Sequence, residues 1–423
     1  MTATPELSDE RELRAAVRAW VAEAWDQDLT LRAWWKRLVD SGWGYPTWPT
    51  EWFGKGLPPL AGHAVHDELA AAGVVGPPGG SGPSMGAPVL FLYGTDEQRR
   101  RWLPRLAYGE EHWAQFFSEP GAGSDLAGVQ TRAVRDGDEW VVNGQKVWNS
   151  GTQHADRALL VARTDVDVPK HKGISFFIID LDQPGIDIRP IKQMNGAAEF
   201  NETFLTDARV PDANRIGPEN GGWAVAMTVL THERSTFAGG GNRSLRTFEG
   251  GAKAGLLDRT VGELLATTEE RAPANALPIG TIPALIDLAR AHDRLGDPVI
   301  RQRIAGLHAF SEALRLTAAR GQAAAAAGHG AGAESSVAYL GGVKVIRLYR
   351  DLVAEIAGAD ALLDGTDVSR TITTAPAHGI QGGSEQIQRN VIGERLLGLP
   401  REPQVDRDVP FRELRVGTQR DAR

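Results

Sequence analysis

The period of the apolar residues changes twice along the chain, and this constrains the fold more than any other feature. From Ser8 to Glu111, apolar residues recur every three or four positions, as in ELRAAVRAWVAEAW, which predicts helices. From His112 to Gly217, short β-rich runs such as EWVV, ALLVAR and ISFFIID lie among Asp-Gly and Asn-Gly turn pairs. From Gly222 onwards, long helical patterns return. The order of helix, sheet and helix predicts three domains.

We therefore assign the chain to the α+β class. Residues 1–111 are predicted to form an N-terminal α-helical domain, residues 112–221 a middle antiparallel β domain, and residues 222–423 a C-terminal helical bundle. The bundle is favoured because long helical runs such as VIRQRIAGLHAFSEALRLTAAR are joined by short polar loops.

Composition excludes several classes of function. The 423 residues include no cysteine, which excludes disulfides, thiolate zinc sites and a cysteine nucleophile. His63 and His66 lie three residues apart without a further ligand cluster nearby, so we expect no metal site. The net charge of −8 disfavours nucleic acid as a partner. The polar N-terminus and the lack of a long apolar run favour a cytoplasmic protein without a membrane span.

Three segments have the residue types of a ligand site. In FFSEPGAGSDL (116–126), aromatic residues lead into a small-residue loop that lets backbone N–H groups approach a flat ligand. VWNSG (147–151) places an indole at a strand end, where it can serve as a stacking wall. QGGSEQIQ (381–388) opens a helix after two glycines, which suits a phosphate. The sequence contains neither a strict Rossmann fingerprint nor a P-loop, so another mode of cofactor binding is expected.

Together with DGDEWVVNGQKVW, NETFLTDARVP and GGSEQIQRNVIGERLLGLP, these segments resemble the acyl-CoA dehydrogenase family over nearly the whole chain. The resemblance implies an N-terminal helical domain, a middle β domain and a C-terminal four-helix bundle, in homodimers, homotetramers or heterotetramers. It also implies FAD between the β domain and the bundle, completed by a neighbouring subunit. An acyl-CoA thioester is the implied substrate, and an electron-transfer flavoprotein is the implied electron acceptor.

The resemblance also implies which residues hold the cofactor. Some face the isoalloxazine of FAD or bond its edge, namely Phe116, Ser118, Trp148 and Ser150. Gly123 and Ser124 are implied beside the acyl thioester and the pyrimidine edge of the flavin. Ser384 and Gln386 are implied at the diphosphate and ribityl chain of FAD. Asp125 follows directly and is interpreted as a turn or helix cap rather than a catalyst.

The catalytic base is expected at an alternative position. In most of the family a glutamate lies two residues before the Ser/Thr of the last motif, but here that residue is Gly382. In isovaleryl- and long-chain-type members the base is the glutamate of a Glu-Arg pair on a bundle helix. Glu233 and Arg234 match that pair. The resemblance thus implies that Glu233 takes the α-proton, with Arg234 and Gly382 at the substrate and the Gly382 N–H donating to the thioester oxygen. A salt-bridged or solvated Glu233 in an inactive protein is the alternative.

Further departures from the family concern the cofactor and the acyl group. HDRLGDP (292–298) replaces the Arg-x-x-Phe-Gly segment and EIAGA (355–359) replaces Gln-x-x-Gly-Gly, with arginines as candidate substitutes at Arg290, Arg294 and Arg301. A half-site or non-catalytic subunit of a heteromer therefore stays open, as do an acyl-CoA oxidase and a dehydrogenase of carrier-bound acyl groups. The glycines at 239–241 suit a bulky or branched acyl group, or equally a helix break.

Overall fold

The computed structural model describes residues 10–238, 245–267, 277–326, 334–403 and 406–414. Its N-terminal part is helical, as the apolar period predicts. The helices in this part are α1 (Glu10–Ala24), α2 (Leu31–Asp40), α3 (Pro59–Ala71), α4 (Ala87–Tyr93) and α5 (Asp96–Ala107). Their apolar faces bury a cluster that includes Val17, Leu31, Trp34 and Val65.

Local hydrogen bonds determine where these helices begin and how they pack. Thr95 Oγ1 accepts the N–H of Gln98 at 3.2 Å, and Gln98 Oε1 accepts the N–H of Thr95 at 2.9 Å, which forms a capping box before α5. The indole of the buried Trp34 donates to the carbonyl of Val75 at 2.6 Å. This bond satisfies the polar edge of a buried ring and holds the loop after α3 against α2.

Within the described residues, eight strands form one sheet in the middle of the chain. They are β1 (Trp113–Phe116), β2 (Arg132–Asp136), β3 (Glu139–Ser150), β4 (Arg157–Arg163), β5 (Ile174–Asp180), β6 (Ile186–Pro190), β7 (Phe200–Pro211) and β8 (Arg215–Ile216). The strand order is β6-β7-β3-β2-β4-β5-β8, and β1 pairs with β4. Most pairs are antiparallel as predicted, but β1 and β2 both pair with β4 in parallel. A parallel pair needs a long connection, which the intervening loop and hairpin supply.

The two faces of β1 lie in different parts of the core. Trp113 packs in the cluster between the sheet and the helices, together with Trp102 and Val225. Phe116 packs in the cluster on the other face of the sheet, together with Trp140. Because successive side chains of a strand point to opposite faces, Gln115 shares the helix-facing side with Trp113.

The C-terminal part is helical again. It contains α6 (Gly222–Ala238), α7 (Val261–Thr267), α8 (Ile282–Ala291), α9 (Pro298–Ala326), α10 (Glu334–Ala357), α11 (Asp367–Thr374) and α12 (Glu385–Val391). Helix α10 is central, because it contacts α6, α8, α9, α11 and α12. The α+β class and the order of helical, β and helical parts are thus confirmed. Across the ranges that the structure covers, no helix is both long and apolar enough to cross a membrane.

Candidate active site

The candidate base lies where helix α6 faces strand β1. Glu233 is half-buried on α6, and its Oε2 accepts a hydrogen bond from Nε2 of Gln115 at 3.4 Å. Gln115, like Trp113, lies on the side of β1 that faces the helices. The carboxylate of Glu233 is therefore directed toward the sheet domain, which is the side on which the first two predicted ligand segments lie.

A buried ion pair anchors the small-residue loop that follows β1. Lys146 Nζ lies 2.8 Å from Glu119 Oε1, and both side chains are buried. Glu119 also accepts the backbone N–H groups of Gln130 at 2.6 Å and Thr131 at 2.9 Å. Burial alone raises the pKa of Glu119, but the charge and hydrogen bond of Lys146, together with the hydrogen bonds from Thr131 and Gln130, outweigh it and hold that pKa below its ordinary value. The loop is thus fixed at its base by a charged group.

Trp148 protrudes from the sheet at a bulge of β3. The register with β7 pairs Val147 with Glu202 and Asn149 with Asn201, so Trp148 has no partner of its own in this ladder. Its φ of 64° is a left-handed conformation that costs a bulky residue free energy. The side chain is 58% exposed and meets Phe200 edge-on at 6.0 Å between ring centroids. A strained, exposed indole is a suitable wall for a flat ligand.

Two of the predicted hydroxyl residues flank Trp148, and one predicted residue does not reach the cleft. The carbonyl of Ser118 accepts the N–H of Val147 at 2.9 Å, which places the half-buried Ser118 beside the bulge. Ser150 is exposed at the end of β3. The structure corrects the expectation that Phe116 faces the isoalloxazine: its side chain is fully buried in the sheet cluster with Trp140 and cannot line a ligand.

The third segment meets the first although they are far apart in sequence. Ser384 Oγ lies 3.3 Å from Ser124 Oγ. Ser384 also caps α12 by accepting the N–H of Ile387 at 3.4 Å. Gly382 and Gly383 precede it with φ of 66° and 97°, conformations that favour glycine. Gly123 and Gln386 are both exposed next to this meeting point in sequence.

The structure explains why Glu385 does not replace the missing glutamate. Its carboxylate is buried and pairs with Arg347 on α10 and with Arg389, the latter at 3.4 Å. The Glu385 carboxylate is thus engaged by two guanidinium groups. Of the two carboxylates, Glu233 is the one that faces β1.

Tyr339 of α10 is a residue of the site that the sequence did not reveal. Its hydroxyl oxygen lies 2.7 Å from the carbonyl of Gln381 and 2.9 Å from that of His378, so its single O–H is shared between them and holds the turn before Gly382. Burial, together with the carboxylates of Glu385 and Glu233, raises the pKa of Tyr339 to about 12. The tyrosine therefore stays protonated at neutral pH, and its O–H can donate to the carbonyls of the turn.

Other residues singled out from the sequence lie elsewhere or outside the described side chains. Asp125 is the N-cap residue of the turn Leu126–Gly128, as interpreted, and its carbonyl accepts the N–H of Gly128 at 2.9 Å. Its side chain pairs with Lys170 at 3.0 Å instead of capping the turn. Arg290 pairs with Asp287 on α8, and Arg294 pairs with Asp297 in the connection between α8 and α9. The side chain of Arg234 and the glycines at 239–241 lie outside the described part.

Comparison with known proteins identifies the family. Models of the acyl-CoA dehydrogenase N-terminal, middle and C-terminal domains match residues 8–110, 114–208 and 266–397. The chain is 34% identical to the acyl-CoA dehydrogenase IpdE1 of Mycobacterium tuberculosis over 420 residues, which covers 94% of this chain and 99% of that protein. The chain therefore belongs to the acyl-CoA dehydrogenase family. Within the oxidoreductases, it is an acyl-CoA dehydrogenase.

Solved structures share the fold over nearly the whole length of the chain. The Tcur3481-Tcur3483 steroid ACAD has a TM-score of 0.68 and 28% identity, and the alignment covers 95% of this chain and 100% of that chain. The ChsE4-ChsE5 complex from Mycobacterium tuberculosis has a TM-score of 0.65 and 28% identity, with 95% of this chain and 100% of that chain covered. The arrangement of helical, β and helical parts is thus that of the family.

Proposed function

We propose that the chain catalyses the FAD-dependent α,β-dehydrogenation of an acyl-CoA thioester and passes the electrons to an electron-transfer flavoprotein. The observation that carries the proposal is the position of Glu233. Its carboxylate faces β1 through Gln115, whereas the alternative carboxylate Glu385 is held by two arginines. A positioned carboxylate with access to the cleft is what abstraction of an α-proton requires.

The residues around Trp148 suit the isoalloxazine of FAD. The indole is exposed at a strained bulge. Ser150 follows two residues later on β3, and the carbonyl of Ser118 accepts the N–H of Val147, the residue before Trp148. Ser384 and Gln386 are the proposed contacts of the diphosphate and ribityl chain, with Gly123 and Ser124 near the ring edge. When bound, FAD supplies an oxidised ring that accepts the β-hydrogen of the substrate as hydride.

The chain's own groups would handle the proton and the developing charge. Loss of the α-proton to Glu233 leaves negative charge on the thioester oxygen, which needs donors at that position. The N–H of Gly382 is the proposed donor, and Tyr339 holds the turn that carries it. Gln115 orients the carboxylate of Glu233. Arg234 follows Glu233 on α6 and stays a predicted substrate contact.

Purified protein tests the proposal directly. Bound flavin is measured by absorbance, and a panel of acyl-CoA thioesters is added under anaerobic conditions. Bleaching of the flavin by an acyl-CoA, followed by reoxidation with an electron-transfer flavoprotein, supports the function. Peroxide release under air at the rate of turnover would instead identify an oxidase. Bleaching only by acyl groups on a carrier protein would contradict CoA as the carrier.

A second candidate is a half-site or non-catalytic subunit of a heteromer. The chain resembles a protein solved as the ChsE4-ChsE5 complex. It also exposes large apolar side chains at several positions of its C-terminal part, among them Leu362, Ile380, Leu396 and Leu397. Such surface suits contact with another subunit. Protein that binds no flavin alone but gains it on co-expression with a homologous subunit would favour this candidate over a homo-oligomer, and the mass of the assembly in solution separates the two.

A further inference from the structure

A second polar cluster surrounds Gly151 at the other end of β1. It contains His112, which directly precedes β1, and Glu249. Glu249 forms an isolated β-bridge with Gly79, in the loop after α3. His112 Nε2 and Glu249 Oε2 are 3.6 Å apart. A Cβ atom on Gly151 would lie 3.5 Å from each of these two atoms. Both polar side chains are thus directed at the same small space above Gly151.

The imidazole of His112 has an unmet hydrogen-bonding group in this space. The residue is only 4% exposed, and within the described part of the chain its Nε2 has no hydrogen-bond partner. The distance to Glu249 is longer than a normal hydrogen bond. The side chain of Glu249 is 59% exposed, so its carboxylate borders open space rather than the core. A buried polar atom without a hydrogen-bond partner is unusual in proteins and calls for an explanation.

Glycines keep this space open. Gly80 and Gly251 have φ of 92° and 93°, and Cβ atoms there would come within 3.2 Å and 2.9 Å of the His112 side chain. Larger residues at these positions would displace the imidazole. The backbone of the cluster is fixed, because the N–H of His112 donates to Asp156 Oδ2 at 2.8 Å and the N–H of Gly151 to the carbonyl of Glu199 at 2.9 Å.

The cluster lies within the reach of an acyl group from the proposed reaction centre. Gly151 directly follows Ser150, and neighbouring Cα atoms are about 3.8 Å apart. His112 precedes Gln115, the contact of Glu233, by three residues, which corresponds to roughly 10 Å along a strand. A substituent on the acyl part several bonds from the thioester therefore spans the distance between the base and the cluster.

We propose that His112 and Glu249 bind a hydroxyl group carried by the acyl moiety of the substrate. The hydroxyl group donates to the Glu249 carboxylate and accepts from the imidazole N–H of His112. Both the donor and the acceptor function of the hydroxyl group are then used. The proposal rests on the acyl-CoA dehydrogenase function proposed above and specifies its substrate class. A pure hydrocarbon at this position would leave the buried imidazole without a partner.

Matched substrates test the proposal on the FAD-loaded enzyme. The probes are 4-hydroxycyclohexanecarbonyl-CoA, as both ring isomers, and cyclohexanecarbonyl-CoA. We expect the wild-type kcat/KM to be at least tenfold higher for the hydroxylated thioester. Glu249→Ala and His112→Gln each lower this ratio to about one, whereas Glu23→Ala, which removes an exposed glutamate on α1, leaves it unchanged. A wild-type ratio of one, or a ratio that survives Glu249→Ala, overturns the proposal.

Binding of unreactive analogues separates this proposal from the function on which it rests. The thioethers S-(4-hydroxycyclohexylmethyl)-CoA and S-(cyclohexylmethyl)-CoA have no acidic α-proton, and their dissociation constants are measured by calorimetry. If no thioester bleaches the flavin but the hydroxylated thioether binds tenfold more tightly, and Glu249→Ala removes that difference, the dehydrogenase function fails and the hydroxyl site stands. Equal binding of the two thioethers to the wild type overturns the hydroxyl site, whatever the activity.

Discussion

Gln115 on β1 donates a hydrogen bond from Nε2 to Oε2 of Glu233 on α6, at 3.4 Å. The bond joins the sheet domain to the bundle across the candidate cleft. It also gives Glu233 a defined direction, because an amide N–H donor fixes where a carboxylate oxygen lies. The two residues are 118 positions apart in sequence, so this relationship depends on how the two domains pack.

Glu233→Gln removes the proposed base while keeping the size of the side chain. Because general acid–base catalysis contributes about 10²–10⁴-fold, we expect flavin bleaching by a good acyl-CoA substrate to slow by at least 100-fold. Stopped-flow absorbance under anaerobic conditions measures the rate. Glu23→Gln serves as the matched control on an exposed helix face. Bleaching of Glu233→Gln at the wild-type rate would show that another group takes the proton.

Trp148→Gly separates the stability of the fold from cofactor binding. Glycine accepts the φ of 64° without strain, whereas alanine keeps the strain of about 1 kcal/mol. We therefore expect the flavin-free Gly variant to unfold at the same or higher urea concentration than Trp148→Ala. Both variants lose the indole, so both bind FAD at least tenfold more weakly, as measured by flavin fluorescence. Unchanged FAD affinity in the two variants contradicts the role of Trp148 as a wall.

The fold could be predicted from the sequence because the apolar period is a local signal. A 3.6-residue period and alternating runs each identify their element without knowledge of distant residues. The parallel pairing of β1 with β4 could not be predicted in this way, since it depends on a connection that crosses a hairpin. The pairing direction is therefore set by the tertiary fold.

The site could be predicted only in part, for a related physical reason. Trp148, Ser124 and Ser384 lie in segments with recognisable residues, and the structure brings the two serines together. Phe116, which the resemblance implies at the flavin, instead packs on the other face of the sheet; both faces of β1 are buried, so its sequence gives no signal of which side chains reach the cleft. Tyr339 lies in the middle of a long helix, and its contacts with the turn before Gly382 form only on packing.

Lys146→Met tests whether the buried ion pair anchors the small-residue loop. The variant leaves Glu119 buried without its cation, so we expect a loss of about 3–5 kcal/mol in the free energy of unfolding. Urea unfolding followed by circular dichroism measures it. In the double variant Glu119→Gln/Lys146→Met, the uncompensated charge is absent, and at least half of the loss should be recovered. Losses in the double variant equal to the sum of both single variants would show that the pair is not coupled.

Asp212→Asn tests a carboxylate that holds the edge of the sheet. Hydrogen bonds from Arg215 and from the Trp140 indole, with the charges of Arg215 and Arg135, lower the pKa of Asp212 to about 2 from an ordinary 3.8. Because the folded-state pKa is depressed, its stabilisation is complete above pH 4 and disappears as the pH falls toward 2. Part of the side chain is exposed, so screening reduces the contribution to about 1–2 kcal/mol.

We therefore expect wild type and Asp212→Asn to differ by this amount at pH 7 and to converge between pH 4 and pH 2. Urea unfolding at a series of pH values gives both curves. Asp258→Asn is the matched control, because the Asp258 side chain is highly exposed and pairs at the surface with Arg32 at 3.3 Å. Its difference from wild type should stay within about 0.5 kcal/mol at every pH. A difference for Asp212→Asn that does not change between pH 7 and pH 2 would mean that the arginines hold the edge without the Asp212 charge.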